Sequence, residues 1–145
     1  MSALNLYDTD FYAWTQEQAK LIKAKAFEKL DLIHLLDEVE SMGASEQREL
    51  ESRLEILLAH LLKWKHQPNF QTKSWQLTIK EQRHRIKRRL KKMPSLKSAL
   101  PEVFVDSYED AIYTAAKETG FDENIFPIKC EWTIEQVLND EFFPN

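Results

Sequence analysis

The sequence predicts an all-α fold, a single helical bundle-like domain organised around one long central helix. The chain has 145 residues and only two glycines, Gly43 and Gly120, whereas β-sheets depend on turns that favour glycine or Asn-Gly pairs. Apolar residues recur at steps of three and four, which is the spacing of one helix face. No repeat or linker-like segment divides the chain, so we predict one domain over residues 1–145.

The first helix is predicted to begin near residues 8–10 and to end at about Lys25. Asp8 and Asp10 belong to the residue types that cap and stabilise helix N-termini. Its buried face is expected to consist of the apolar residues at helical spacing, which are Phe11, Trp14, Leu21 and Ile22.

The central helix is predicted to begin after Asp31, its N-cap, and to end before Pro68. Its apolar stripe keeps the same phase through Gly43, whereas a loop that reorients the chain would usually reset the phase. We therefore predict one continuous helix, bent at most at the glycine. The alternative is two helices, with Ser45 capping the second. The stripe comprises Leu36, Val39, Gly43, Gln47, Leu50, Leu54, Leu57, Leu61 and Trp64.

A third helix is predicted from Trp75 to about Lys92, where Pro94 stops it. Either Thr72 or Ser74 is expected to cap its first turn. Its apolar stripe is narrow and comprises Trp75, Ile79, Ile86, Leu90 and Met93.

A fourth helix is predicted from Pro101 to Thr119, because proline suits the first turn of a helix and Gly120 suits the left-handed residue that follows one. Thr133 and Gln136 have the spacing of a capping box, which predicts a last short helix that ends near residue 139.

Charge is segregated along the chain, although the net charge is only −4. Residues 63–97 hold twelve Lys/Arg and one acid, Glu81. Residues 1–62 hold six basic and twelve acidic residues, and residues 98–145 hold two basic and eleven acidic residues. The third helix is therefore predicted to be a cationic helix between two anionic segments.

The densest part of this cationic helix is the candidate basic surface. Cations cover most of the helix outside its narrow apolar stripe, so we expect them to face solvent or a partner. The candidate basic surface comprises Lys80, Arg83, Arg85, Lys87, Arg88, Arg89, Lys91 and Lys92.

Three explanations of the candidate basic surface stay open. Acids of the fourth helix, namely Glu102, Asp106, Glu109 and Asp110, could neutralise it, at about 0.2–1 kcal/mol for each exposed pair. Nucleic-acid phosphates could bind it, although the pI of about 5.6 is far below that of a dedicated nucleic-acid-binding domain. A protein partner with an acidic groove, or the acidic face of a second copy, could also bind it. Membrane-surface binding is disfavoured because the apolar stripe is too narrow to insert.

A second candidate site is a polar cluster of Glu38, Glu40, His60, Lys63 and Trp75. His60 could present a proton carrier beside a cation, and paired carboxylates such as Glu38 and Glu40 can act as acid and base. The alternative for His60 is a partly buried ring bonded to a helix carbonyl or a carboxylate. The alternative for the two glutamates is a solvated helix face or ion pairs with arginines of the third helix.

No metal site and no cofactor are predicted. Glu81 and His84 form one E-x-x-H pair, whereas a di-iron bundle needs two such pairs and further glutamates. The H-E-x-x-H, P-loop and G-x-G-x-x-G motifs are absent. The last two require several closely spaced glycines, which the two glycines of this chain cannot supply. Cys130 is the only cysteine, so it cannot form an internal disulfide.

A cytoplasmic location is predicted from the targeting signals that the sequence lacks. The first ten residues carry no basic cluster before an apolar run, so no signal peptide is visible. The longest apolar run spans residues 56–62 and is interrupted by His60, whereas a bilayer requires about 20 apolar residues.

Several short motifs follow one another in order along nearly the whole chain. They are YDTDFYAW at 7–14, LDL at 30–32, EVESMG at 38–43, LLAHLLKW at 57–64, SW at 74–75, Ile79, QR at 82–83, PSL at 94–96 and TIEQVL at 133–138. These motifs resemble those of a bacterial family, domain-of-unknown-function family twenty-nine. The resemblance implies an all-helical fold and transfers no catalytic or binding residue.

These observations favour a non-catalytic intracellular interaction or regulatory module that uses the basic helix. Protein partners or self-association are the expected contacts. The alternatives are nucleic-acid binding through residues 80–92 and an enzyme with acid–base residues around His60 and the Glu38/Glu40 pair.

Overall fold

In the computed structural model, which describes residues 3–145, every regular element of the described chain is helical. This confirms the all-α prediction and the long central helix. The chain forms two compact units, Met1–Ser45 and Glu46–Asn145, while the single domain over the whole chain stays a prediction. The α-helices are α1 (Ala3–Thr9), α2 (Phe11–Lys23), α3 (Leu32–His66), α4 (Lys73–Lys92), α5 (Leu100–Thr119) and α6 (Ile134–Leu138).

The first predicted helix corresponds to α2, and a short helix that was not predicted, α1, precedes it. The backbone of Asp10 leaves the helical region, with φ −153° and ψ 83°, and its carboxylate accepts a hydrogen bond from the Ala13 amide at 3.1 Å. Asp10 therefore caps α2 and separates it from α1. Of the apolar residues named for this helix, Trp14 is buried as expected, whereas Phe11 and Ile22 are about half exposed; the polar Gln18 is buried as well.

In the first unit, Asp31 joins α2 to the start of α3. Its carboxylate accepts hydrogen bonds from the Trp14 indole at 3.0 Å and from the His34 ring at 2.7 Å, and its amide donates to Gln18 at 2.9 Å. The ring of Tyr7 stacks on His34 with the centroids 3.8 Å apart. Asp31, His34 and Glu38 thus define the face of α3 that packs on α1 and α2.

Helix α3 is continuous from Leu32 to His66, a length of about 50 Å at 1.5 Å per residue. The prediction of one unbroken helix through Gly43 is confirmed, and Ser45 is an interior residue of that helix. No helix in the part of the chain that the structure describes is long and apolar enough to span a bilayer.

The core of the second unit lies between the C-terminal half of α3, helices α4 and α5, and the segment that ends with α6. Burial of these aliphatic and aromatic side chains supplies the main driving force for folding of the unit. Core residues include Leu50, Leu54, Leu57, Leu61, Ile79, Ile86, Tyr108, Ala111, Phe126 and Val137.

The helix ends of the second unit follow the predicted signals. Thr72 caps α4 by accepting from the Trp75 amide, and α4 begins at Lys73, two residues earlier than predicted. Gly120 ends α5 with φ +78°, a left-handed conformation that glycine adopts without strain. Thr133 and Gln136 form the predicted capping box of α6.

Candidate binding surface on helix α4

Arg83 lies inside the protein, which corrects its predicted place on the basic surface. It is completely buried, and its guanidinium donates to the carbonyl oxygens of Val137 at 2.8 Å, Asp140 at 3.4 Å and Phe142 at 2.6 Å. The guanidinium also lies 5.3 Å from the ring centroid of Phe143. Arg83 therefore fastens the C-terminal segment to α4 and is unavailable to a partner.

The sequence contained a signal for this burial. Arg83 follows Ile79 by four residues and precedes Ile86 by three, so it falls within the apolar stripe of α4 rather than beside it. Both isoleucines are completely buried. The residue between them on the same helix face is therefore directed into the core.

Three other cations of α4 are paired with acids. Arg89 forms ion pairs with Glu46 and Glu49 of α3. The Lys87 ammonium lies 2.9 Å from the carboxylate of Asp140. Arg85 pairs within the helix, at 3.3 Å from the carboxylate of Glu81.

The acids that neutralise α4 therefore lie on α3, on the C-terminal segment and, for Arg85, on α4 itself. The sequence-based expectation that acids of α5 would do this was wrong in its choice of helix, because none of the four acids forms an ion pair with α4 in the described chain. Those four acids are Glu102, Asp106, Glu109 and Asp110.

Besides Lys73 in the first turn, four cations of α4 are exposed and form no ion pair within the described residues. They are Lys80, Arg88, Lys91 and Lys92, and we call these four the free cations. In particular, Arg88, Lys91 and Lys92 stand at spacings of three and four, so they share one side of the last turns of α4.

Two open grooves flank Arg88. The first has a volume of about 450 Å³ and is lined by Glu46, Arg53, Arg85, Arg88, Arg89, Lys92 and Met93. The second has a volume of about 550 Å³ and is lined by His84, Lys87, Arg88, Lys91 and Asp140. Both grooves hold more cations than acids, and Arg88 contributes to both of them.

Sequence reasoning missed the contribution of α3 to the first groove. Arg53 is held at its edge by Glu49 at 2.8 Å and by Gln82 at 3.4 Å. Glu46, Glu49 and Arg53 lie three and four residues apart along α3, which places them on one face of that helix. Their spacing was visible in the sequence, but nothing in it indicated that α4 packs on that face.

Three members of the predicted polar cluster, His60, Lys63 and Trp75, belong to the second unit, and each contacts a residue of that unit. The Lys63 ammonium is buried, donates to the Glu118 carboxylate at 2.5 Å, and lies 4.8 Å from the ring centroid of Trp75. Nδ1 of His60 lies 2.9 Å from the Ile56 carbonyl oxygen, which can only accept, so this nitrogen carries the proton.

The alternative reading of His60, a ring bonded to a helix carbonyl, agrees with this contact. Burial lowers the pKa of His60 and Lys63 lowers it further, although the hydrogen bond to Ile56 and the charge of Glu118 act in the opposite direction. The ring is thus uncharged near neutral pH, and its Nδ1 proton is used within its own helix. These contacts lend no support to acid–base catalysis by His60.

The two glutamates of the predicted polar cluster belong to the first unit. Glu38 accepts a hydrogen bond from the Tyr7 hydroxyl at 2.6 Å, and this bond is the main reason that the pKa of Tyr7 is raised to about 12. Glu40 is exposed.

An acidic patch occupies another side of the second unit, where α3 and α5 meet. A groove of about 230 Å³ is lined there by Arg48, Glu51, Ser52, Glu55 and Asp110. The pKa of Glu51 is raised by burial and then by the charges of Asp106 and Asp110. Burial and Asp110 also raise the pKa of Glu55, against a hydrogen bond from Thr114.

Replacing Glu51 by glutamine is expected to stabilise the protein slightly at neutral pH. Because the pKa of Glu51 is raised on folding, the folded state favours its uncharged carboxyl. The stability that this carboxyl contributes is present below the unfolded pKa and is lost as pH rises through the folded pKa. The gain in the free energy of unfolding at neutral pH should be below about 1 kcal/mol, because the patch is partly solvated.

Urea unfolding at pH 7 and at acidic pH measures this effect. The Glu51→Gln gain should shrink on acidification, while a Glu123→Gln control should change little at either pH. A loss of stability on Glu51→Gln at pH 7 would contradict the repulsion inferred for the acidic patch.

Comparison with known proteins identifies the chain by family alone. No curated protein and no solved structure matches it. One family model matches residues 6–143, and its description is Domain of unknown function DUF29. Because this match covers nearly the whole sequence, the resemblance noted above is confirmed, and the chain belongs to the DUF29 family.

Proposed function

We propose that the chain is a non-catalytic binding module whose α4 surface docks an acidic segment of a partner protein. The observation that carries the proposal is the set of free cations, Lys80, Arg88, Lys91 and Lys92, which are exposed and lack an acidic partner in the described structure. The bacterial origin and the cytoplasmic location stay predictions from the sequence.

The spacing of the free cations supports an anionic ligand. Arg88, Lys91 and Lys92 carry like charges on adjacent turns, and like charges at such spacings destabilise a helix modestly. Carboxylates of a bound partner would relieve that repulsion. Arg88 lies between the two grooves, and a guanidinium can bind a carboxylate through two parallel hydrogen bonds.

The acids beside α4 favour a short acidic segment over a nucleic-acid duplex. Glu46 and Asp140 line the grooves, and Glu81 is exposed on α4 itself. A regular phosphate backbone that tracked along the helix would meet these carboxylates. A peptide with a few acidic side chains can place them at the free cations alone.

Reversing two of the free cations should abolish most of the binding. We expect a short oligoglutamate peptide to bind the wild-type protein at low salt, and the Arg88→Glu/Lys92→Glu variant to bind it at least about tenfold more weakly, which corresponds to about 1.4 kcal/mol. Isothermal titration calorimetry measures both affinities.

A matched control separates the α4 surface from net charge. Lys117→Glu/Lys129→Glu changes the net charge by the same amount at two exposed residues outside α4, and it should bind the peptide nearly as well as the wild type. Equal losses in both double variants would contradict the proposal. Tighter binding of duplex DNA, with a logarithmic salt slope near −5 as expected for about six neutralised phosphates, would favour the nucleic-acid alternative instead.

A further inference from the structure

The N-terminal part of α3 exposes a continuous apolar face within the first unit. Five of its side chains are 57–68% exposed, which is unusual for large apolar residues that are adjacent on one helix. We call them the α3 apolar face: Leu32, Ile33, Leu36, Val39 and Met42.

This face lies away from the packing within its own unit. Asp31, His34 and Glu38 contact α1 and α2 through the hydrogen bonds and ring stacking given above. Leu36 and Val39 project from other sides of the helix, because each residue advances by about 100°. Leu32, Leu36 and Val39 thus lie on a side of α3 that the first unit leaves open, whereas Met42 stands one turn after Glu38 and is also exposed.

We infer that the α3 apolar face is the interface between two copies of this chain. Leu32, Leu36, Val39 and Gly43 follow one another by steps of four, three and four, which is the a/d spacing of helices that pack along a seam. With Leu36 and Gly43 at position a of this heptad register, the positions on or beside the seam (a, d, e and g) carry one charged side chain between residues 32 and 43, which is Glu40. The seam therefore needs a partner with an equally apolar stripe, and a symmetry-related copy supplies one.

The exposed apolar area suits a weak symmetric dimer. Five side chains at about three-fifths exposure offer on the order of 300 Å² per copy, if a fully buried aliphatic side chain removes roughly 60–120 Å². Two copies bury about 600 Å² of apolar area, or about 900 Å² in all if some 65% of the interface is apolar. This area lies just below the roughly 1,000 Å² that specific interfaces usually exceed. We therefore expect a weak dimer with a dissociation constant in the micromolar range.

Gly43 provides an independent reason for a close neighbour. Within the part of the chain that the structure describes, a Cβ added there would meet no atom within 4 Å, so packing among those residues does not require glycine. Glycine also weakens a helix interior relative to alanine. A second helix that crosses the seam near this position would use the missing side chain, because it allows the two backbones to approach closely.

Sedimentation velocity of the full chain across the micromolar range tests the inference with two matched variants. Val39 on the α3 apolar face and Val105 on α5 are both helical valines with 57% exposure, so glutamate at either position should leave the fold intact. The wild type and Val105→Glu should dimerise with rising concentration, and Val39→Glu should remain monomeric.

Every other pattern of sedimentation contradicts the inference. A wild type that stays monomeric throughout would show that the face serves something other than a second copy. Two valine variants that behave alike, either both dimeric or both monomeric, would place the interface elsewhere. The dimer should also survive Arg88→Glu/Lys92→Glu, so a failure of the dimer is distinguishable from a failure of the α4 binding surface.

Discussion

Replacing Arg83 by methionine is expected to lower the free energy of unfolding by about 2–5 kcal/mol, because several carbonyl oxygens of the C-terminal segment lose their donor. The substitution keeps a long side chain in the core but removes the donor to the carbonyls of Val137, Asp140 and Phe142. A buried carbonyl left without a donor costs about 1–3 kcal/mol. Urea unfolding measures the loss, and hydrogen exchange should show faster exchange over residues 134–143.

The control is the same substitution on the exposed side of α4. Arg88→Met removes an exposed side chain without an ion pair in the described structure, so its effect on the free energy of unfolding should stay within about 0.5 kcal/mol. If Arg83→Met and Arg88→Met destabilise the protein equally, Arg83 does not fasten the C-terminal segment.

Replacing Asp31 by alanine is expected to destabilise the first unit by about 2–4 kcal/mol. The variant loses the N-cap of α3, which contributes about 1 kcal/mol. It also leaves the buried Trp14 indole N–H without its acceptor, at a further cost of about 1–3 kcal/mol. Hydrogen exchange of the α2 amides reports the loss, and Asp37→Ala on the exposed side of α3 is the control.

Acidification should produce the same loss in the wild type. Burial raises the pKa of Asp31, but the hydrogen bonds from His34 and Trp14 together outweigh it, so the pKa lies below that of an ordinary aspartate. Because folding lowers the pKa of Asp31, its ionised carboxylate stabilises the folded state. This stabilisation is present above the unfolded pKa and is lost as pH falls through the folded pKa. Protection of α2 should therefore decline below about pH 4 in the wild type. An equal decline in Asp31→Ala would contradict the assignment.

Much of the fold could be predicted because local signals determine it. The phase of the apolar stripe was sufficient to predict an unbroken α3 through Gly43. Thr72, Gly120 and the Thr133–Gln136 pair marked helix ends through backbone and side-chain hydrogen bonds between near neighbours. Such signals act within one turn, so they can be recognised without knowledge of the tertiary structure.

The errors arose where the outcome depends on which helices meet. Asp10 belongs to the predicted capping residues and caps α2, but the short helix α1 before it was not predicted. The cationic run of α4 could not reveal that Glu46 and Asp140, rather than acids of α5, would be its partners. Leu36 and Val39 continue the stripe of α3, but their exposure depends on what packs against that part of the helix.

The most direct test of the α4 surface observes individual lysines while an acidic ligand binds. Lysines can be labelled by reductive methylation with carbon-13, which retains their charge, and the protein can then be titrated with oligoglutamate in an NMR experiment. We predict that the methyl signals of Lys91 and Lys92 shift, while Lys63, buried against Glu118, and Lys117, exposed on α5, stay unchanged. Shifts of Lys117 as large as those of Lys91 and Lys92 would contradict a specific surface on α4.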